Sequence, residues 1–151
     1  MRSIAELILG TGLRPGAAVE MSWDDFAGDR MKVLDEKAGE RITTHRPHDL
    51  RTYLDDLPKR GAYVLAKNLT QPIGYSACEK AFRAWRATLG PEAKPYSLHG
   101  LRKLTIIRLA EAGCSEAEIQ AVTKQSVETV VYYRTRANRL ALLWAAPGHR
   151  K

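Results

Sequence analysis

The sequence predicts a mainly helical α+β domain with a small antiparallel sheet of about three strands. Over most of the chain apolar residues recur at intervals of three and four, which is typical of amphipathic helices. Between residues 21 and 44 the pattern changes to short runs separated by glycine-containing turns, which is typical of strands. A chain of 151 residues, of which 44% are hydrophobic, can bury one core. We therefore expect a single domain over residues 1–151.

The N-terminal segment predicts two short helices. Residues 4–9 are apolar with helical spacing, and this first helix is expected to stop at Gly10-Thr11-Gly12. Pro15 suits the first position of a second helix, because the N–H that proline lacks would have no partner there. Arg14 is therefore expected at the start of a helix.

Three short strands are predicted next, over residues 21–26, 31–34 and 41–44. Turns are expected at Gly28-Asp29 and at Lys37-Ala38-Gly39. Strands joined by such short turns pair in an antiparallel sheet. Lys37 then lies in the turn between the second and the third strand.

The rest of the chain is predicted to be helical, since apolar residues recur every three or four positions. The predicted helices cover residues 50–57, 75–89, 98–112, 127–139 and 140–146. The helix over residues 98–112 has apolar residues on nearly all sides, and we expect it to be largely buried. Ser115 and Glu118 form a capping box that begins one more helix.

Composition and charge narrow the class of protein. The chain has 24 Lys and Arg against 17 Asp and Glu, a formal net charge of +7, which favours an anionic partner such as nucleic acid. Cys78 and Cys114 have no metal-binding spacing and predict two buried thiols in a reducing cytoplasm. No apolar run approaches the roughly 20 residues of a membrane span, and no signal-peptide pattern is present.

Two segments carry candidate reactive side chains: residues 96–103 and the pair Tyr132-Tyr133. His99 and Arg102 are three residues apart, so on a helix they lie about 60° apart around the axis. Histidine can donate or accept a proton, and the planar fork of arginine suits a phosphate. This pair predicts chemistry on a phosphodiester.

Four segments in one order resemble the catalytic domain of the tyrosine recombinases, the phage-integrase family. They are Thr11-Gly-Leu-Arg14, Lys37-Ala-Gly39, His99-Gly-Leu-Arg102 and Tyr132-Tyr133. Each segment alone is a weak signal, but the series with a hairpin and helices between is specific. The resemblance implies cleavage and rejoining of double-stranded DNA through a 3′-phosphotyrosine bond, with no metal or other cofactor.

The resemblance implies roles for six residues, which are Arg14, Lys37, His99, Arg102, Gln125 and Tyr133. The two arginines hold the non-bridging oxygens of the scissile phosphate and stabilise its pentavalent transition state. Lys37 protonates the departing 5′ oxygen, and His99 assists proton transfer or holds the phosphate. Gln125 stands where the family usually has His or Trp. It can donate a hydrogen bond to phosphate but cannot shuttle a proton.

The nucleophile is a choice between two neighbours. Adjacent residues on a helix point about 100° apart, so only one of Tyr132 and Tyr133 can face the arginines. Tyr133 is the expected nucleophile, because its distance from Gln125 and the segment that follows it are closer to the family's pattern. The family also often has an acidic residue where Ala17 stands, so Arg14 is expected to be less firmly oriented.

The resemblance also bears on assembly and compartment. The family's N-terminal DNA-clamping domain is absent from this sequence, so we expect a truncated catalytic domain whose DNA affinity is low and steeply salt dependent. Family members often dock a C-terminal helix on a neighbouring protomer, so the apolar residues at 140–144 suggest a tetramer on DNA. A free monomer is equally compatible with the sequence. The implied compartment is the cytoplasm of a prokaryote, with the protein on the nucleoid when it is bound to DNA.

Two alternative functions stay open at this point. Residues 114–131 read like a helix-turn-helix, with a capped first helix and a second helix that starts at Ser126, which would indicate a transcriptional regulator. That interpretation leaves Arg14 and Lys37 without a role. The other alternative is an integrase remnant that keeps the fold and binds DNA without catalysis.

Overall fold

The computed structural model describes residues 1–145, and their side chains through residue 139. In this part of the chain the helices are α1 (Arg2–Thr11), α2 (Pro15–Val19), α3 (His48–Asp55), α4 (Tyr75–Ala87), α5 (Leu98–Glu111), α6 (Glu116–Thr123) and α7 (Val127–Ala145). The strands are β1 (Phe26–Ala27), β2 (Arg30–Asp35) and β3 (Glu40–His45), which form one antiparallel sheet in the order β1-β2-β3. The predicted α+β fold, mainly helical with a small three-stranded sheet, is confirmed.

Two hydrophobic clusters lie on either side of the contact between α1 and α5. The larger cluster packs the four helices α1, α2, α3 and α4 against one another and against the sheet, and Leu7, Ile8 and Leu50 are fully buried in it. The smaller cluster joins α5, α6 and α7 through buried apolar side chains, which are Ile106, Ile119 and Val130. Thr105 on α5 is buried, and its hydroxyl lies 3.4 Å from the carbonyl oxygen of Ile8. This packing brings the C-terminal ends of α1 and α6 toward the same part of α5.

Helix α1 continues through Gly10, where the sequence predicted a break. A Cβ atom at Gly10 would lie 2.8 Å from Cβ of Leu50, so glycine here allows α1 to pack closely on α3. The helix ends at Gly12 instead, which has φ 68° and donates its N–H to the carbonyl of Ile8 at 2.8 Å. The left-handed turn at Gly12 leads directly into Arg14, the residue before α2, and Pro15 opens that helix as predicted.

The first predicted strand is wrong in its extent. Trp23–Asp25 forms a 3-10 turn, and only Phe26–Ala27 pairs with β2. The cause is a capping box, in which the N–H of Ser22 donates to Oδ2 of Asp25 at 2.8 Å. Side-chain bonds of this kind compete with the strand ladder. The other two strands form as predicted and pair from Arg30–His45 to Asp35–Glu40, which leaves Lys37 in the connecting turn.

The C-terminal half differs from the prediction in two respects. Helix α5 packs on α1, α6 and α7, but it is less buried than expected, since Leu104 is 36% exposed. The two helices predicted after residue 127 form one continuous helix, α7. Val130 and Ala137 of α7 are buried, and the helix packs along α5.

The two cysteines are free thiols. Cys78 is buried as predicted, and burial raises the pKa of its thiol. Cys114 is only half-buried, because it lies between α5 and α6 at the edge of the smaller cluster. Within residues 1–145, no helix is both long enough and apolar enough to cross a bilayer.

The contact between Gly10 and Leu50 gives a test of the fold. Gly10→Ala would add a methyl group into a filled space, and overpacking of this kind costs about 1–3 kcal/mol of unfolding free energy, more than the ~1 kcal/mol gained from alanine's helix propensity. The matched control is Gly16→Ala, since a Cβ there meets nothing within 4 Å. Urea denaturation should show a loss of stability for the first variant only. Equal midpoints would contradict close packing at Gly10.

Candidate active site

Arg102 is held by the C-terminal ends of two helices. Its Nε donates to the carbonyl of Gly12 at 2.8 Å, and its Nη2 donates to the carbonyl of Thr123 at 2.6 Å. The last carbonyls of a helix lack intrahelical partners and carry partial negative charge, so a guanidinium satisfies them well. Burial lowers the pKa of Arg102, and the charge of Arg14 lowers it further. A guanidinium nevertheless keeps its charge at neutral pH.

Arg14 forms an ion pair with a residue of the hairpin. Its Nη1 lies 2.9 Å from Oε2 of Glu36, in the turn between β2 and β3. Ala17 leaves α2 without the acidic partner that the family often has, and Glu36 provides a carboxylate from another element. The Arg14 side chain is 56% exposed, so this pair is weaker than a buried one.

Three of the six predicted side chains line one cleft of about 80 Å³: Arg14, Lys37 and Arg102. They come from the segment after α1, the β2–β3 turn and α5, which are 23 or more residues apart in sequence. Asp35 and Glu36 line the same cleft. Lys124 lines it as well, so the cleft combines four cations with two carboxylates.

Lys124 and Gln125 lie where α6 meets α7. Lys124 has φ 53°, the one positive φ at a non-glycine position in the described part of the chain, and it ends α6 in a left-handed turn. Its Nζ lies 3.6 Å from Oδ2 of Asp35. Nε2 of Gln125 donates to the carbonyl of Arg102 at 3.5 Å, and Gln125 shares a second, shallower pocket with Lys37. Gln125 thus lies next to the cleft.

His99 lies in the first turn of α5, one turn before Arg102. Its side chain is exposed, and it does not line the cleft of the two arginines. The turn that carries it is capped by Ser97, whose Oγ accepts the N–H of Gly100 at 3.1 Å. Within residues 1–139, no hydrogen bond or ion pair fixes the imidazole.

Tyr133 is half-buried on α7 and packs against the smaller hydrophobic cluster. The Nζ of Lys103 lies 5.7 Å from the centre of its ring, a distance at which a cation is attracted to the ring face. Lys103 follows Arg102 on α5. Tyr133 is therefore held beside the helix that carries Arg102, but it does not line the cleft.

Tyr132 has a different environment. It is 53% exposed, and its hydroxyl accepts a hydrogen bond from Arg136 one turn further along α7. The guanidinium carbon of Arg136 lies 5.1 Å from the ring centre. The rings of Tyr132 and Tyr133 meet edge to face with centres 5.0 Å apart. The two neighbours thus point in different directions, as adjacent helical residues must.

The sequence patterns do not single out the carboxylates and the extra lysine of this site. Asp35 and Glu36 directly precede Lys37, and two acids beside a candidate catalytic lysine are a signal that ion pairs hold the turn. The lack of an acid at Ala17 is a second signal, because it leaves Arg14 without a nearby partner. Lys124 has no signal in the sequence, since its role depends on a left-handed turn at a non-glycine residue.

The chain is similar to proteins of known family and structure. A family model described as the phage integrase family matches residues 1–139. A solved structure of the lambda integrase catalytic core superposes with a TM-score of 0.64 and 27% identity, and the match covers 80% of each chain. No curated protein sequence matches the chain significantly.

Two DNA complexes are also similar. A lambda integrase dimer bound to a COC′ core site has a TM-score of 0.66 and 25% identity, over 88% of this chain and 51% of that chain. A lambda integrase tetramer bound to a Holliday junction has a TM-score of 0.67 over 91% of this chain and 43% of that chain. Its 24% identity shows likeness of fold alone. This chain spans about half the length of the lambda integrase chain in the dimer.

The two carbonyl contacts of Arg102 can be tested by Arg102→Lys. A lysine ammonium cannot reach both Gly12 and Thr123 with the geometry of a guanidinium fork, so one carbonyl loses its partner. We expect a loss of about 1–3 kcal/mol in unfolding free energy, measured by urea denaturation. The control is Arg108→Lys on the exposed part of the same helix, which should change little. Equal losses for the two variants would contradict the role of these contacts.

Proposed function

Because the chain belongs to the phage integrase family and has the fold of the lambda integrase catalytic core, we propose that it cleaves and rejoins double-stranded DNA through a 3′-phosphotyrosine bond. The observation that carries the proposal is the convergence of Arg14, Lys37 and Arg102 on one cleft. Together with Lys124, four basic side chains line this small cleft on a protein of net charge +7, which suits a phosphodiester.

The two arginines bind the scissile phosphate in this proposal. Each guanidinium donates to a non-bridging oxygen, and both stabilise the charge that develops in the pentavalent transition state. Arg102 is preorganised for this task, since its contacts with Gly12 and Thr123 fix the guanidinium before DNA arrives. Arg14 is more exposed and can adjust to the phosphate.

Tyr133 attacks the phosphorus in the proposed reaction. Its phenolic oxygen forms the new P–O bond, the bond from phosphorus to the 5′ oxygen breaks, and Lys37 gives a proton to that oxygen. His99, one turn before Arg102, accepts the phenolic proton or holds the phosphate, and Gln125 donates a hydrogen bond to the phosphate. Since Tyr133 packs outside the cleft, its ring must move toward the phosphate when DNA binds.

The proposed partner is duplex DNA, and the proposed assembly is a tetramer formed through the C-terminal segment. That segment, residues 140–144, lies outside the residues whose side chains the structure describes. A lambda integrase tetramer on a Holliday junction has the same fold, which supports this assembly. We place the reaction in the cytoplasm of a prokaryote, where free thiols such as Cys78 persist.

One observation favours a second candidate, a DNA-binding remnant without catalysis. His99 and Tyr133 both lie outside the cleft, and Gln125 replaces the family's usual proton-shuttling or indole side chain. Such a protein would bind duplex through its cations and form no covalent product. Covalent capture of the DNA separates the two functions.

Cleavage is tested with a nicked duplex that loses the strand downstream of the cleavage site, so that the covalent product cannot rejoin. We expect a protein–DNA band on denaturing gels with the wild-type chain. Tyr133→Phe should abolish the band, whereas Tyr132→Phe is the matched control and should retain it, since its hydroxyl bonds to Arg136. If only Tyr132→Phe abolishes the band, Tyr132 and not Tyr133 is the nucleophile. No band on any integrase-type site favours the remnant.

The role of Lys37 is tested by changing the leaving group. Lys37→Ala should slow cleavage of ordinary DNA by about 10²–10⁴-fold, the usual contribution of a general acid. In a duplex with sulfur in place of the bridging 5′ oxygen, the departing strand leaves as a thiolate. A thiol is a far stronger acid than an alcohol, so this leaving group needs no proton. The sulfur duplex should therefore restore the rate of Lys37→Ala and leave Arg102→Ala slow. Equal rescue of both variants would show that Lys37 is not the acid.

A further inference from the structure

A carboxylate, that of Glu36, lines the cleft that contains both arginines. Oε2 of Glu36 lies 2.9 Å from Nη1 of Arg14, and both side chains line the cleft together with Arg102. The charge of Glu36 also acts on Arg102, where it raises the pKa against the lowering by burial and by Arg14. Glu36 is therefore near both guanidiniums at once.

Glu36 lies in a cleft where positive charge is concentrated. Two guanidiniums in one small cleft repel each other, and the influence of Arg14 on the pKa of Arg102 shows this repulsion. An anion between them cancels it. A carboxylate and a phosphate both accept N–H donors through oxygens with the same geometry, so they compete for the same Nη atoms of Arg14.

The neighbouring carboxylate is engaged elsewhere. Oδ1 of Asp35 accepts the backbone N–H groups of Lys37 and Ala38 at 3.1 and 3.3 Å, and its Oδ2 lies 3.6 Å from Nζ of Lys124. These contacts anchor the base of the turn to the start of the α6–α7 junction. Glu36 has only the ion pair with Arg14 among the described residues, so its side chain can leave the cleft without unfolding the turn.

We propose that Glu36 is an internal counter-ion, which holds Arg14 in the absence of DNA and competes with the scissile phosphate for it. This proposal rests on the proposed function, because it identifies the phosphate as the ligand of the two arginines. The phosphate displaces Glu36 from Arg14 when it enters the cleft. Glu36 therefore lowers the affinity of the cleft for any single phosphate. Glu36 also adjoins Lys37, so the release of Glu36 occurs beside the proposed general acid.

The alternative is a purely orienting role, in which Glu36 keeps its contact with Arg14 while the phosphate binds. The two roles predict opposite effects of removing the charge. If Glu36 competes with the phosphate, removing its charge should tighten anion binding. If Glu36 only orients Arg14, removing its charge should weaken anion binding and slow cleavage.

The test compares Glu36→Gln with Glu40→Gln, which removes the same charge from an exposed position on the same hairpin. The first probe is inorganic sulfate, titrated against NaCl at equal ionic strength and followed by thermal melting. We expect Glu36→Gln to bind sulfate about two- to fivefold more tightly than Glu40→Gln, the range for a partly exposed ion pair. Glu36→Asp, whose carboxylate is one methylene further from Arg14, should be intermediate and guards against a folding defect in the glutamine variant.

The second probe is a duplex of integrase-type sequence, with affinity measured by fluorescence anisotropy. The same two- to fivefold difference should appear between Glu36→Gln and Glu40→Gln, and it should vanish when both carry Arg14→Ala. Equal affinities of the two single variants for sulfate and duplex, or weaker binding by Glu36→Gln, would overturn the proposal. Tighter sulfate binding without any covalent DNA product would sustain the counter-ion and reject only the proposed cleavage.

Discussion

The site depends on one guanidinium, that of Arg102, which joins two parts of the chain that are more than a hundred residues apart. Its bonds to the carbonyls of Gly12 and Thr123 tie the end of α1 to the end of α6, and each helix end supplies a carbonyl that would otherwise lack a partner. The segments that leave these two ends carry Arg14 in one direction and Gln125 in the other. The Arg102 side chain, which can act on a phosphate, thus also positions the segments that carry Arg14 and Gln125.

The hairpin is attached to this centre by charge. Asp35 pairs with Lys124 and Glu36 pairs with Arg14, so the turn that carries Lys37 is held from the α6–α7 side and from the α2 side. Exposed ion pairs are individually weak and salt dependent. A turn held in this way stays close to the cleft and can still shift, which suits a proton donor that must reach a leaving oxygen only after the phosphate is bound.

Local sequence signals predict the elements well where one cause dominates and fail where two compete. Proline at position 15 and the capping box at Ser115 fix helix starts, and both form as expected. Gly10 reads as a breaker because glycine is poor in helices, but its contact with Leu50 lies forty residues away in sequence. Spacing and resemblance likewise point to Arg14, Lys37 and Arg102. The two acids before Lys37 indicate that ion pairs hold the turn, but the pairing of Glu36 with Arg14 depends on the tertiary structure, which no local pattern shows.

The six candidate residues differ in whether their side chains are held in place in the free protein. Arg102 is fixed by the backbone, whereas Arg14 is balanced by a carboxylate, Lys37 and His99 are exposed, and Tyr133 packs on the smaller cluster beside Lys103. Tyr133 does not line the cleft of the arginines, so the proposed attack requires its hydroxyl to approach a phosphate bound there. In the proposed reaction the phosphate would complete the site, because it would displace Glu36 from Arg14 and bind both arginines.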